Sequence, residues 1–233
     1  MRTRSTNIAL LFFSRTANAE AAEKPLLKGN NLRLNQLASK ILINHSLRHL
    51  SSLHLPLFII DQTKQSGSNF GERLSNAFEE IFKKGYSAVV AVGNDTPEIN
   101  RIDWQETIFS LEKGQNVIGP SHRGGAYLIG LTKQSFQAGA FQSLPWQTKN
   151  IFCDLRKLAS AESPALILPA LRDINTIRDL TRFISGSTED LLKKMIRLFM
   201  ELFFPGIRPV NFFQVFIEES NLVQHGLRAP PVY

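Results

Sequence analysis

The sequence predicts an α/β protein, a mostly parallel sheet sandwiched by helices and followed by a C-terminal helical extension. Three observations lead there. Short continuous apolar runs, such as those at residues 8–13 and 88–92, have the character of central parallel strands. Segments with apolar residues at helical spacing lie between them, so the order reads βαβαβαβ. Glycines such as Gly85, Gly93 and Gly114 punctuate the ends of these segments.

The first strand, residues 7–13, must be told from a look-alike. Arg2 and Arg4, the apolar stretch after them and Ala17-Asn18-Ala19 together imitate a secretory signal with its small-residue cleavage site. The apolar stretch is only six residues long, 8–13, and Arg15 stands between it and the triplet. A buried strand and a cytoplasmic protein are therefore expected. A loop over 14–31 follows. Leu34, Leu37, Ile41, Ile43 and Leu47 then suggest a helix to about His49.

Residues 56–61 read as the second strand. Phe70, Leu74, Ala77, Phe78, Ile81 and Phe82 fall at helical spacing up to Gly85. Residues 88–92 form the third strand, and Trp104, Ile108 and Leu111 mark the next helix, ended by Gly114. Further strands are expected at 116–118, 126–131 and 165–168. Asn175 or Thr176 is placed to cap a helix starting near Ile177. Leu191, Leu192, Met195, Ile196, Phe199, Met200, Phe203 and Phe204 line a last helix, stopped by Pro205-Gly206, with Phe212, Phe213, Val215, Phe216 and Ile217 beyond it. The expected organisation is one domain over 1–186, with 187–233 packed on it or at a homodimer contact.

Composition narrows the class. A chain of 233 residues buries roughly 70% of its unfolded surface, enough for one well-filled core. The 17 Phe exclude a disordered chain, and the single cysteine, Cys153, excludes a disulfide scaffold and reads as a buried reduced thiol. No apolar run reaches the ~18 residues that span a membrane. The net charge of +7 suits an anionic partner. The basic residues do not cluster beyond Lys193-Lys194 with Arg197, so nucleotide phosphates fit better than nucleic acid. His45 and His49 stand at i, i+4 but have no further zinc ligand, and no Gly-x-Ser-x-Gly elbow is present.

Four stretches could carry chemistry. Val89-Val90-Ala91-Val92-Gly93-Asn94-Asp95-Thr96-Pro97 delivers an acid to the carboxyl end of a buried strand, where open α/β sheets place ligands. Asp95 there can hold a divalent ion that neutralises a diphosphate, or it can cap the following turn. Gly119-Pro120-Ser121-His122-Arg123-Gly124-Gly125 precedes a strand; its paired glycines allow close backbone approach to a ligand, or mark a hairpin turn. Gly67-Ser68-Asn69-Phe70-Gly71-Glu72-Arg73 opens a helix without being a Walker loop or a Rossmann fingerprint. Arg172-Asp173-Ile174-Asn175-Thr176, if folded against Asp95, would complete a metal site.

Together with Pro145-Trp146-Gln147-Thr148, these stretches resemble, in order and spacing, a glycosyltransferase-like family known as radical-SAM/selenodomain-associated transferases and counted among nucleotide-diphospho-sugar transferases. The resemblance covers roughly residues 7–184 and is dense from Gly67 to Thr148. It implies the GT-A fold and a divalent ion, Mg or Mn, bridging nucleotide phosphates. Asp95 matches the strand-end metal acid, and Asn175 falls where relatives carry a second acid. Arg15, Lys24 and Arg73 become phosphate residues, Gly124 and Gly125 nucleotide contacts, and His122 and Arg123 catalytic candidates. The chain departs from the family in two places: Arg123 precedes the glycine pair where relatives have Asp, and the loop after the first strand has no glycine.

The expected function is a metal-dependent transferase acting on a nucleotide or nucleotide-sugar with an unknown acceptor. The alternative is a catalytically degenerate binding or scaffold protein of the same fold.

Overall fold

The structure is a computed structural model and describes residues 7–27, 31–185 and 191–203. These fall into two compact units: residues 7–16 with 46–173, and the described residues of 17–45 with 174–203. The grouping cuts across the expected boundary at 186/187, because the segment after the first strand joins the C-terminal residues.

The first unit is built on a sheet of six strands: β1 (Ile8–Phe13), β2 (Leu57–Ile60), β3 (Ala88–Val92), β4 (Val117–Pro120), β5 (Ala126–Thr132) and β6 (Leu166–Ile167). Their spatial order is β2-β1-β3-β5-β4-β6. β1 pairs in parallel with β2 and β3, and β4 with β6. β5 runs antiparallel to both β3 and β4. The sheet is thus mostly parallel, with one reversed strand inside it. The expected secretory look-alike is a strand with all six residues buried.

Strand alternation divides the core. Ala9, Leu11 and Phe13 of β1 and Val89 and Ala91 of β3 share one apolar cluster with Leu74, Phe78, Phe141, Ile151 and Leu155. Those partners belong to α3 (Phe70–Lys83), α5 (Ala138–Gln142) and α6 (Ile151–Ala159). The other face is covered by α4 (Trp104–Glu112): Gly130, between the inward-facing Ile129 and Leu131, has its open side against Leu111 and Val117. Asn69 caps α3 and Asp103 caps α4, each accepting a backbone N–H with its side chain.

β2 closes one border of the sheet. Ile59 is exposed there, and Lys64 Nζ donates to its carbonyl at 3.2 Å.

The second unit holds α1 (Ala17–Glu23), and its α7 (Ile177–Ile184), α8 (Leu191–Phe203) and the first part of α2 (Leu32–Ser52) gather around Leu26, Leu42, Ile177, Leu180, Ile196 and Phe199. Thr176 caps α7 in a full capping box with Asp179. Arg197 Nη2 donates to the Ile184 carbonyl at 2.7 Å, satisfying an acceptor at the end of α7. The apolar face of α8 is buried within this unit. Of the segment 187–233, for which a homodimer contact is an expectation, residues 191–203 are described as α8, and the remainder lies outside the described residues. No helix among the described residues is long and apolar enough to cross a membrane.

Candidate functional site

The order of the strands locates a crevice. From β1 the chain moves to β2 on one side, then returns to place β3 on the other. That reversal is a topological switch point, and in open α/β sheets ligands bind outside the carboxyl ends of the two strands flanking it. Here those ends are Ser14-Arg15-Thr16 and Gly93-Asn94-Asp95-Thr96. The pairing Phe12↔Val92 sends both segments off the same edge.

The β3 side of this crevice is polar and buried. Asn94, Asp95 and Thr96 are 5%, 3% and 2% exposed. Thr96 occupies the cap position of a short 3-10 helix, Pro97–Arg101, but makes no side-chain cap bond. Its hydroxyl is buried and finds no hydrogen-bond partner among the described residues. Three consecutive buried polar side chains oppose folding unless something compensates them.

The β1 side is held from β2. The Thr16 N–H donates to Gln62 Oε1 at 2.6 Å, and Gln62 Nε2 donates back to the Thr16 hydroxyl at 2.9 Å. Gln65 Nε2 donates to the Ser14 carbonyl at 2.9 Å. These bonds fix the backbone on both sides of Arg15, whose side chain is half-buried. Asp61, at the end of β2, is held below the usual carboxylate range chiefly by the Thr63 hydroxyl.

The glycine pair lies on the same edge in another role. β4 and β5 are joined by Ser121-His122-Arg123-Gly124-Gly125, and the turn is closed on itself. The Ser121 N–H donates to the Gly125 carbonyl at 2.9 Å, the Gly124 N–H to the Ser121 carbonyl at 3.1 Å, and the Gly125 N–H to Ser121 Oγ at 3.2 Å. Gly124 has φ +84°, and a side chain there would collide with the Lys149 carbonyl. The glycines therefore serve the hairpin. His122 and Arg123 are exposed at its tip, with the His122 N–H donating to the Leu171 carbonyl at 3.0 Å.

Arg73 lies half-buried in the first turn of α3. Lys24 and Asn175 belong to the second unit, where they meet each other. Lys24 Nζ donates to Asn175 Oδ1 at 3.5 Å and stands 3.9 Å from Glu20. The Asn175 oxygen, expected to face a metal, faces an ammonium group. Its neighbour Asp179 accepts from the Asn175 and Thr176 backbone.

Among the described residues no three His, Cys, Asp or Glu side chains gather as a metal site. At the end of β3 the first unit places a buried carboxylate, Asp95, next in the chain to Thr96. Mg²⁺ is commonly held by one or two carboxylates with substrate phosphates and water. That donor set fits such an ion and does not fit an all-protein cage.

Gln62 and Gln65 escape the sequence pattern, and Thr96 appears in it only as part of the Gly93–Pro97 stretch. The signal was present: polar residues directly after a buried strand on an α/β edge.

The fold defines an open α/β sheet protein, with a candidate ligand site at the β1/β3 switch point. Residues 35–148 match the family described as "Uncharacterized protein conserved in bacteria (DUF2064)". The chain shares its fold with the crystal structure of a "putative nucleotide-diphospho-sugar transferase" from Desulfovibrio desulfuricans G20, at TM-score 0.66 and 24% identity over 82% of this chain and 94% of that one. Weaker likenesses, at TM-score 0.44, reach Rv0371c of Mycobacterium tuberculosis H37Rv (11% identity, 77% of this chain and 97% of that one) and its homologue from Mycobacterium sp. strain JC1 (12%, 83% and 98%). No curated protein matches the chain.

Proposed function

We propose that the protein is a transferase acting on a nucleotide-activated substrate, a nucleotide-sugar or a related nucleotide diphosphate. One observation carries this reading: the β1/β3 switch point opens on Arg15 from one strand and on the buried Asn94-Asp95-Thr96 run from the other. The fold neighbour's description as a nucleotide-diphospho-sugar transferase points the same way.

In this reading the diphosphate lies across the two strand ends. Arg15, with its backbone held by Gln62 and Gln65, supplies a fixed cation to the phosphate oxygens. Asp95 would hold Mg²⁺ or Mn²⁺ there, and the ion would offset charge on the leaving diphosphate. The exposed His122 and Arg123, on the same edge, are the groups available to an acceptor. Arg73, in the first turn of α3, is a further phosphate candidate.

Calorimetric titration of the full chain with UDP-glucose, GDP-mannose and nucleoside triphosphates, with and without Mn²⁺, tests the reading. Metal-dependent binding that falls at least tenfold (about 1.4 kcal/mol) in Asp95→Ala is the expected result. Binding unchanged by that substitution removes the metal role, and no binding of any nucleotide removes the reading.

A second reading is a binding protein of the same fold without turnover. The observation favouring it is the Lys24 ammonium on Asn175 Oδ1, which sets a positive charge where the sequence led one to expect a second metal ligand. Measurable transfer or hydrolysis of a nucleotide-sugar would rule it out.

A further inference from the structure

The segment joining α5 to α6 is seated in two glycine sockets. The Trp146 indole lies against Gly71, where a side chain would collide with the ring and with the Gln142 carbonyl. The ring packs between Phe70 and Phe141, at centroid distances of 5.6 and 4.8 Å, and its N–H donates to the Phe141 carbonyl at 2.8 Å. Three residues on, the Lys149 carbonyl fills the space over Gly124, whose own carbonyl accepts from the Phe152 N–H at 3.0 Å. Gly71 opens α3 and Gly124 belongs to the β4–β5 turn. Phe70 packs on Phe13 at the end of β1, and the turn joins β4 to β5, so both sockets lie at the carboxyl edge of the sheet.

Between the sockets, Gln147 has φ +61°, in the left-handed region that disfavours a side chain. Its side chain is exposed and makes no hydrogen bond within the described residues. Glycine would relieve the backbone without losing a hydrogen bond among the described residues. A strained residue whose side chain does nothing for the fold, fixed at a ligand edge, points to a use outside the fold.

We propose that Gln147 is a specificity-determining residue, its amide meeting hydroxyl groups of the sugar carried by the nucleotide diphosphate. The proposal rests on the function inferred above. A primary amide is both donor and acceptor, as a sugar's neighbouring hydroxyls require, whereas a phosphate would be served better by a cation.

The test compares Gln147→Gly and Gln147→Asn with the unaltered chain, by calorimetry with UDP and GDP against UDP-glucose and GDP-mannose, and by thermal melting. Gln147→Gly is expected to raise Tm by about 2–4 °C. It should leave nucleoside diphosphate affinity within about twofold and weaken nucleotide-sugar binding about tenfold. Gln147→Asn, which tolerates φ > 0 and keeps the amide, should stay within about threefold of the unaltered chain for both ligands. Nucleotide-sugar binding unchanged in Gln147→Gly overturns the proposal, because the residue is then only a turn. Equal loss of both ligand types overturns it too, because Gln147 then supports the loop. If the unaltered chain binds UDP or GDP, failure of the proposal leaves the function standing; if it binds no nucleotide, both fall.

Discussion

Lys24 Nζ donates to Asn175 Oδ1 inside the second unit, joining two residues that are far apart in the chain. Asn175 is 3% exposed, and the Lys24 side chain 12%. A largely buried ammonium group needs its acceptors, so Asn175→Ala should destabilise the protein by about 1–2 kcal/mol in chemical denaturation. The Mn²⁺ dependence of nucleotide binding should not change by more than about twofold. A lost metal response in this variant would return Asn175 to the metal.

Thr96 separates stability from function. Its hydroxyl is buried without a hydrogen bond among the described residues, so Thr96→Val, which keeps the shape, should be neutral or stabilising by up to about 1 kcal/mol. The same substitution should weaken nucleotide binding, since the crevice loses an oxygen beside Asp95. A stabilised protein with unaltered binding would show that the hydroxyl serves neither purpose.

Tyr127 should set a limit on stability in alkali. Its ring fills the space over Gly119, and its hydroxyl donates to the Pro169 carbonyl at 3.0 Å. Burial pushes the phenol above its ordinary value. The neutral form is thus favoured in the folded state; its contribution is complete below about pH 10 and declines as pH rises beyond that. Tyr127→Phe should flatten that decline while costing about 1 kcal/mol at neutral pH for the lost hydrogen bond. Denaturation midpoints at pH 7 and above pH 10 check both parts.

Gly119→Ala should cost about 1–3 kcal/mol, because the new methyl meets the Tyr127 ring in a packed strand. Gly114→Ala is a useful contrast. No atom of the described residues lies near that position, so only its φ of +83° opposes the substitution and the loss should be about 1 kcal/mol. Equal losses at the two sites would mean that the ring moves aside.

Much of the sheet could be read from the chain, for physical reasons that differ by element. β1 and β3 are buried on both faces and show as unbroken apolar runs. α3 shows because its buried residues recur at helical spacing. The reversed direction of β5 escapes the apolar pattern, since alternation marks a strand and not its sense. The spacing held the answer: only five residues separate β4 from β5, too few for a parallel crossover of a dozen or more. α1 stands where the apolar pattern predicts a loop, because ANAEAAE has no apolar stripe and its buried residues are Glu20 and Ala21. α6 did carry a signal, Ile151, Leu155 and Ala159 at i, i+4 and i+8, which went unread. Of the site, the strand-end residue Asp95 was legible from its position alone. The hold of Gln62 on Thr16 was not, because it joins residues 46 apart through side chains.

The border at β2 has a consequence for how the molecule behaves in concentrated solution. The strand is four residues long, and the Lys64 ammonium already occupies the outward Ile59 carbonyl. An incoming chain would need that carbonyl as its first acceptor and would have to strip a cation from it. The exposed Ile59 therefore sits on a rim that is a poor seed for fibril growth.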